Sequence, residues 1–191
     1  MPAGTFTIPT GESGVDCSWQ GTSSVCVPTR PQANSIFGFE SGSAWSPSSW
    51  GASFPTTIVS SPKSQGYFAL AIGSSGYRLL NSVPFSTGIL KGITPSLALD
   101  VYVPSGPSNP NWLGAVQLYA TCPSANVYNS YLGQVELTGS PTGEFNTATF
   151  TIPSDVLAAL KTTHSDFFFS IAVNSAPSQE LVVLDNLRFA P

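Results

Sequence analysis

Ten short runs in this sequence alternate apolar with polar residues, separated by turn residues. They fall at about residues 36–40, 54–60, 66–72, 77–82, 96–103, 114–121, 129–138, 145–152, 166–174 and 181–189. A period of two is the mark of a half-buried strand, whereas an amphipathic helix repeats every 3.6 residues. Strands this short and this regularly spaced predict an all-β chain, an antiparallel two-sheet β-sandwich or jelly roll. The pattern breaks once. Ser154 is a candidate N-cap, and Asp155-Val156-Leu157-Ala158-Ala159-Leu160-Lys161 after it predicts one short helix. Residues 1–34 are rich in Pro, Gly and Ser and predict a linker or appended hairpin, leaving 35–191 as the sandwich domain.

Alternation also sorts residues onto faces. In 96–103, Leu97, Leu99, Val101 and Val103 share a side and leave Asp100 and Tyr102 opposite. In 114–121, Val116, Leu118 and Ala120 leave Gln117 and Tyr119; in 129–138, Val135 and Leu137 leave Gln134 and Glu136. In 166–174, Phe167, Phe169, Ile171 and Val173 leave Ser170 and Asn174. The outward set combines Tyr rings with planar amides and carboxylates. Rings of this kind stack on the C–H faces of a sugar, and planar polar groups hydrogen-bond its hydroxyls. Any solvated sheet face presents some such residues; their recurrence on successive strands is what groups these. Trp112, on the loop Ser108-Asn109-Pro110-Asn111-Trp112, either stacks on a sugar or caps the core from the loop, and Tyr131, in a hairpin with Tyr128 beside Tyr119, is placed to rim the same face. The expected carbohydrate-binding residues are therefore Asp100, Tyr102, Gln117, Tyr119, Gln134, Glu136, Trp112 and Tyr131.

Charge narrows the partners. Only 8% of residues are charged, against about 25% in an ordinary domain. Six scattered Lys and Arg cannot replace the counterions of a phosphate backbone, which excludes nucleic acid. A net charge of −4 disfavours acidic polymers and points to a neutral polysaccharide or oligosaccharide. No run of eighteen apolar residues is present, so no membrane-spanning helix is expected. The N-terminus lacks the pattern of a signal peptide, yet the uncharged Ser/Thr/Gly-rich composition suits a secreted domain attached to a larger protein. Cys17 and Cys26 flank a Gln-Gly-Thr-Ser centre that would let a hairpin join them as a disulfide, leaving Cys122 odd. One His and three Cys, scattered along the chain, match no zinc spacing.

Catalytic patterns are sparse. His164 lies in a loop, no Gly-x-Ser-x-Gly elbow is present, and no strand carries Glu-x-Asp-x-Glu. Asp100 and Glu136 are the one carboxylate pair that adjacent strands could set face to face. The expectation is a non-catalytic module; its rivals are a jelly-roll glycoside hydrolase or polysaccharide lyase, and a protein-binding or adhesive domain.

From Phe37-Gly38-Phe39-Glu40-Ser41-Gly42 and Trp45-Ser46 onward, the chain resembles a known family. Gly66-Tyr67-Phe68-Ala69-Leu70, Leu97-Ala98-Leu99-Asp100-Val101-Tyr102-Val103-Pro104, Gly143-Glu144-Phe145-Asn146 and Leu184-Asp185-Asn186-Leu187-Arg188-Phe189 follow in order. The order is similar to that of the calcium-containing β-sandwich carbohydrate-binding modules of bacterial polysaccharide-degrading enzymes. The resemblance implies a structural Ca²⁺ held by the first-strand Glu and the last-strand Asp, here Glu40 and Asp185. Calcium takes six to eight oxygen ligands, so backbone carbonyls would complete the set.

Overall fold

The computed structural model describes residues 15–20, 23–28, 35–40, 44–49, 54–73 and 75–191, the first two ranges and Ser35 by backbone alone. The chain divides into two units, Met1–Ala33 and Asn34–Pro191. In the first, β1 (Val15–Gln20) pairs antiparallel with β2 (Ser23–Pro28), in a register that sets Cys17 opposite Cys26. The side chains of Cys17 and Cys26, the segment before Val15, and Ser41, Gly42 and Trp50 lie outside the described residues.

The second unit is a sandwich of two antiparallel sheets. One has five strands in the order β10 (Val127–Glu136), β9 (Gly114–Cys122), β12 (Phe168–Ser175), β7 (Gly76–Ser82), β4 (Trp45–Pro47). The other runs β11 (Glu144–Thr151), β8 (Ser96–Val103), β13 (Val182–Ala190), β6 (Ala69–Ile72), β5 (Thr56–Val59), with β3 (Ser35–Phe37) also pairing β13. The all-β sandwich expected from the alternation is therefore the observed fold. β4 falls between the expected runs 36–40 and 54–60, where the alternation predicts no strand. The single helix, α1 (Ser154–Lys161), starts one residue earlier than expected: Pro153 is the cap, and its carbonyl accepts the Leu157 N–H at 2.8 Å. Ser154 is the first helical residue, because proline's fixed φ already sets the turn.

The core lies between the sheets and is built from the inward sets of each strand. Leu97, Leu99, Val101 and Val103 of β8 meet Val116, Leu118 and Ala120 of β9 and Phe169, Ile171 and Val173 of β12, all buried. Burying each of the larger side chains contributes roughly 1.5–3 kcal/mol. At one end Phe39 stacks on Trp45 (centroids 5.3 Å, 22°), and Phe37 meets the same indole edge-on at 5.2 Å. Phe39 takes φ 55°, a strained conformation for a bulky residue, held by its buried ring. The chain turns there, and Glu40 leaves the core.

Register shifts in β13 and β10 break the alternation and decide which residues share a face. In β13 the register passes from Asp185 opposite Asp100 to Arg188 opposite Ala98, so Asn186 and Leu187 face one residue. Asn186 sits at φ 53°, and the bulge lets Leu184, Leu187 and Phe189 all reach the core. In β10 the register passes from Tyr131 opposite Tyr119 to Gly133 opposite Leu118.

Candidate functional site

The outer faces of the two sheets differ in what covers them. On the six-stranded sheet, the loop of residues 61–68 lies on a polar cluster. Asp100 pairs with Arg188 (Oδ1 to NH1, 2.9 Å) and accepts hydrogen bonds from Thr147 Oγ1 (2.8 Å), Ser64 Oγ (2.8 Å) and Asn186 Nδ2 (3.0 Å). Asp185 Oδ2 accepts the backbone N–H of Ser64 at 2.7 Å and of Gln65 at 2.9 Å. Burial pushes the Asp185 carboxyl up, while the amides of Gln65 and Ser64 pull it down. Glu40 takes the next stretch of the loop, accepting the N–H of Tyr67 and Phe68 at 3.1 Å each. Gly66 is required here. It adopts φ +62°, and a Cβ on it would lie 1.6 Å from Glu40 Oε1.

Glu40, just beyond β3, and Asp185 of β13 thus grip one loop. Three buried oxygens in this cluster have no hydrogen-bond partner: Asp185 Oδ1, Asn186 Oδ1 and Gln65 Oε1. One carboxylate oxygen and two amide oxygens, all hard donors left without partners, fit the ligand chemistry of Ca²⁺.

The five-stranded sheet presents the other kind of surface. Its register lays outward residues in rows: Glu136, Ala115, Asn174, Tyr77; then Gln134, Gln117, Ala172, Leu79; then Tyr131, Tyr119, Ser170, Asn81. Ala115, Ala172 and Ser170 form a low floor between taller neighbours and are buried although they point outward. Along the strands, positions 115 to 121 span about 20 Å. Recesses of ≈ 170 Å³ and ≈ 360 Å³ open at the two ends of this stretch. The first is lined by Tyr77, Trp112, Gln117, Gln134, Glu136 and Asn174, the second by Asn81, Thr121, Tyr128, Asn129 and Ser170. The Tyr119 and Tyr131 rings, 5.3 Å apart and tilted 47°, occupy the row between them.

A hydrogen-bond relay ties the polar residues together. Tyr119 O–H donates to Gln117 Oε1 at 2.9 Å, Gln117 Nε2 donates to Gln134 Oε1, and Gln134 Nε2 donates to Glu136 Oε1. The relay holds each planar group in one orientation while leaving its outer edge to solvent. Burial raises the Tyr119 phenol above its ordinary pKa, and the neighbouring Tyr77 and Tyr131 add to this, so it stays a donor. The aromatic rims are open: Tyr77 is 50% exposed, Tyr131 51%, Tyr128 66% and Trp112 36%. The Trp112 loop is braced by the Asn111 N–H donating to Asn109 Oδ1 and the Ser108 N–H donating to the Pro177 carbonyl.

Of the eight expected sugar-binding residues, this face unites Gln117, Tyr119, Tyr131, Gln134, Glu136 and Trp112. Asp100 and Tyr102 are corrected, because β8 belongs to the other sheet. Asp100 is enclosed by its four partners, and Tyr102 packs edge-on against Phe145 (5.6 Å) beside a separate recess. The Asp100–Glu136 pairing fails for the same reason. Tyr131 joins Gln134 on one side only because of the bulge at Leu132–Gly133; strict alternation sends them to opposite sides. Gly133, at φ 136° inside a strand, is the signal in the sequence. Tyr77 is missed by hydropathy, since its strand turns Leu79 outward and Arg78 toward the Phe54 ring (5.4 Å).

No protein-family model and no curated protein matches this chain. Among solved structures, it is similar to one described in work on promiscuous specificity in carbohydrate-binding modules of the β-sandwich superfamily. That pair has 18% identity and a TM-score of 0.53, covering 88% of this chain and 66% of the other, so this chain spans just under two thirds of that one. It is also similar to CBM28, a carbohydrate-binding module specific for non-crystalline cellulose, at 16% identity and a TM-score of 0.54, covering 78% of this chain and 87% of the other. At these identities the likeness establishes the β-sandwich fold.

Proposed function

We propose that this chain is a non-catalytic carbohydrate-binding module that holds a neutral polysaccharide on the outer face of its five-stranded sheet. The observation that carries this reading is the open face itself. Four exposed aromatic rings, an ordered Gln–Gln–Glu relay and a low floor line two recesses and the row between them, while the loop of residues 61–68 lies over the polar cluster of the opposite sheet. Among the described residues lining the two recesses, Glu136 is the only charged one, which favours uncharged hydroxyl-rich ligands over uronates. The similar solved structures, carbohydrate-binding modules by their descriptions, support the same class. Affinity electrophoresis on a panel of neutral glycans tests the proposal. Retardation by at least one glycan without release of reducing ends is the expected result; turnover, or no retardation by any of them, overturns it.

The non-catalytic part of the reading draws support from two arrangements. Asp100 and Glu136 lie on different sheets. Ser124, His164 and Asp166 do meet, but Asp166 accepts from the serine hydroxyl at 2.6 Å rather than from the imidazole. Ionising that serine would set two anions in contact, the reverse of a triad's logic.

We further propose that Ca²⁺ binds at the Asp185 cluster, with Glu40 fixing the loop that completes it. When bound, it would supply charge compensation for buried oxygens, not chemistry on a substrate. Removing it with EGTA should lower Tm by about 5–10 °C at a calcium level near 100 times Kd, and added Ca²⁺ should restore it. A Tm indifferent to EGTA contradicts the site. The exported setting we propose for the domain has its own check. Protein from an oxidising compartment, unfolded without reductant, should expose one reactive thiol, Cys122, and three after reduction. Three thiols before reduction argue against the Cys17–Cys26 bond.

A further inference from the structure

A second cluster lies beside the larger recess, where β9 ends and β12 begins. Pairing of Thr121 with Phe168 brings together Cys122, Ser124, His164 and Asp166, which the sequence scatters over more than forty positions. Ser124 Oγ is 2.8 Å from His164 Nδ1 and 2.6 Å from Asp166 Oδ1; Cys122 Sγ is 3.4 Å from the same Oδ1. The Ser124 N–H donates to Asp166 Oδ2 at 2.8 Å.

The surrounding hydrogen bonds set which lone pairs face the cluster. Thr162 donates its hydroxyl to the Ala158 carbonyl at 2.9 Å, so its oxygen accepts from His164 Nε2–H, 3.0 Å away. The Nε2 proton is thereby held outward, and Nδ1 is the ring nitrogen that faces the cluster. The Cys122 thiol donates to Asp166 Oδ1, and Ser124 Oγ lies within hydrogen-bond distance of both that oxygen and Nδ1, so sulfur, nitrogen and oxygen donors converge on one point. The frame is rigid as well: the His164 N–H donates to Thr87 Oγ1 at 2.8 Å, and its carbonyl accepts the Thr87 N–H at 2.9 Å.

We propose that Cys122 Sγ, His164 Nδ1 and the Asp166 carboxylate form a binding site for a divalent transition-metal ion of the Zn²⁺ class, with Ser124 Oγ or solvent in the fourth position. The three ligand atoms already lie within 4.8 Å of one another. Tetrahedral zinc with S, N and O ligands sets them about 3.3–3.5 Å apart, so side-chain rotations of about 1 Å close the site. The mixed sulfur, nitrogen and oxygen set selects zinc-like ions over Ca²⁺ or Mg²⁺, which require oxygen throughout. Binding converts the Cys122 thiol to thiolate and releases its proton to solvent, so affinity falls on acidification. Cys122 is buried, but exposed Ser124 and half-buried His164 and Asp166 leave the ion an entry path.

The test is Co²⁺ titration of the metal-stripped full chain, followed by absorption. One equivalent should produce a thiolate-to-cobalt charge-transfer band with tetrahedral d–d absorption, and Zn²⁺ should erase both. The bands should survive in Cys17→Ser/Cys26→Ser and vanish in Cys122→Ser and in His164→Gln. The His164 variant alters a half-buried loop residue and keeps the test decisive should Cys122→Ser fail to fold; circular dichroism checks the fold. Absence of a charge-transfer band at millimolar Co²⁺, or a band that persists without His164 or disappears with Cys17 and Cys26, overturns the proposal. The all-oxygen calcium site cannot produce that band, so the two metal proposals stand or fall separately.

Discussion

Asp100→Ala is expected to destabilise the sandwich by about 3–5 kcal/mol, the usual cost of removing one partner from a buried ion pair. Its carboxylate is the shared acceptor for Arg188, Thr147, Ser64 and Asn186, and the Asp100 and Arg188 side chains are only 9% and 18% exposed. Removing it leaves a guanidinium and three polar groups facing a void. Urea unfolding should show a lower midpoint at unchanged slope. Asp100→Ala/Arg188→Met should recover part of the loss, because the stranded cation is removed with its partner. A loss under about 1 kcal/mol would mean that the loop of residues 61–68 is not held through this cluster. Asp100→Ala that still folds should retain sugar affinity, since Asp100 lies on the sheet opposite the proposed binding face.

The largest effect on binding is expected at the aromatic rims. Trp112→Ala and Tyr131→Ala should each weaken binding to a neutral glycan by about 30-fold, corresponding to about 2 kcal/mol for a well-placed aromatic anchor. Both side chains are exposed, so neither change should move stability by more than about 0.5 kcal/mol. Gln117→Ala breaks the relay at its centre and frees Gln134 and Tyr119 to rotate, so it should weaken binding although it removes no ring. Full affinity in Trp112→Ala and Tyr131→Ala together would remove the rims from the site. Affinity electrophoresis reads all three variants.

The sandwich is legible in the sequence because its core strands obey strict alternation: in β8, β9 and β12 the inward residues are those that a period of two selects. Half of the face is legible for the same reason, since Gln117, Tyr119, Gln134 and Glu136 follow from single strands. What alternation cannot convey is which strands share a sheet. Asp100 and Tyr102 have the same local pattern as Gln117 and Tyr119, and only the strand order separates them. Bulges defeat the rule in a second way. The shift at Gly133 brings Tyr131 onto the face, and the one at Asn186 gathers Asp185 and Arg188 around Asp100. The Cys122, His164 and Asp166 cluster has no linear signature, because β-pairing between distant strands creates it.

The central claim is that the sugar lies on the five-stranded sheet, and chemical-shift mapping tests it most directly. In a ¹⁵N-labelled sample titrated with a neutral oligosaccharide from a glycan that retards the protein, the perturbed amides should fall on β7, β9, β10 and β12. They should centre on Tyr77, Gln117, Tyr119, Tyr131 and Gln134, with the Trp112 indole N–H among the largest shifts and Asp100, Tyr102 and the loop of residues 61–68 unmoved. Perturbations confined to that loop and to the six-stranded sheet would contradict the account.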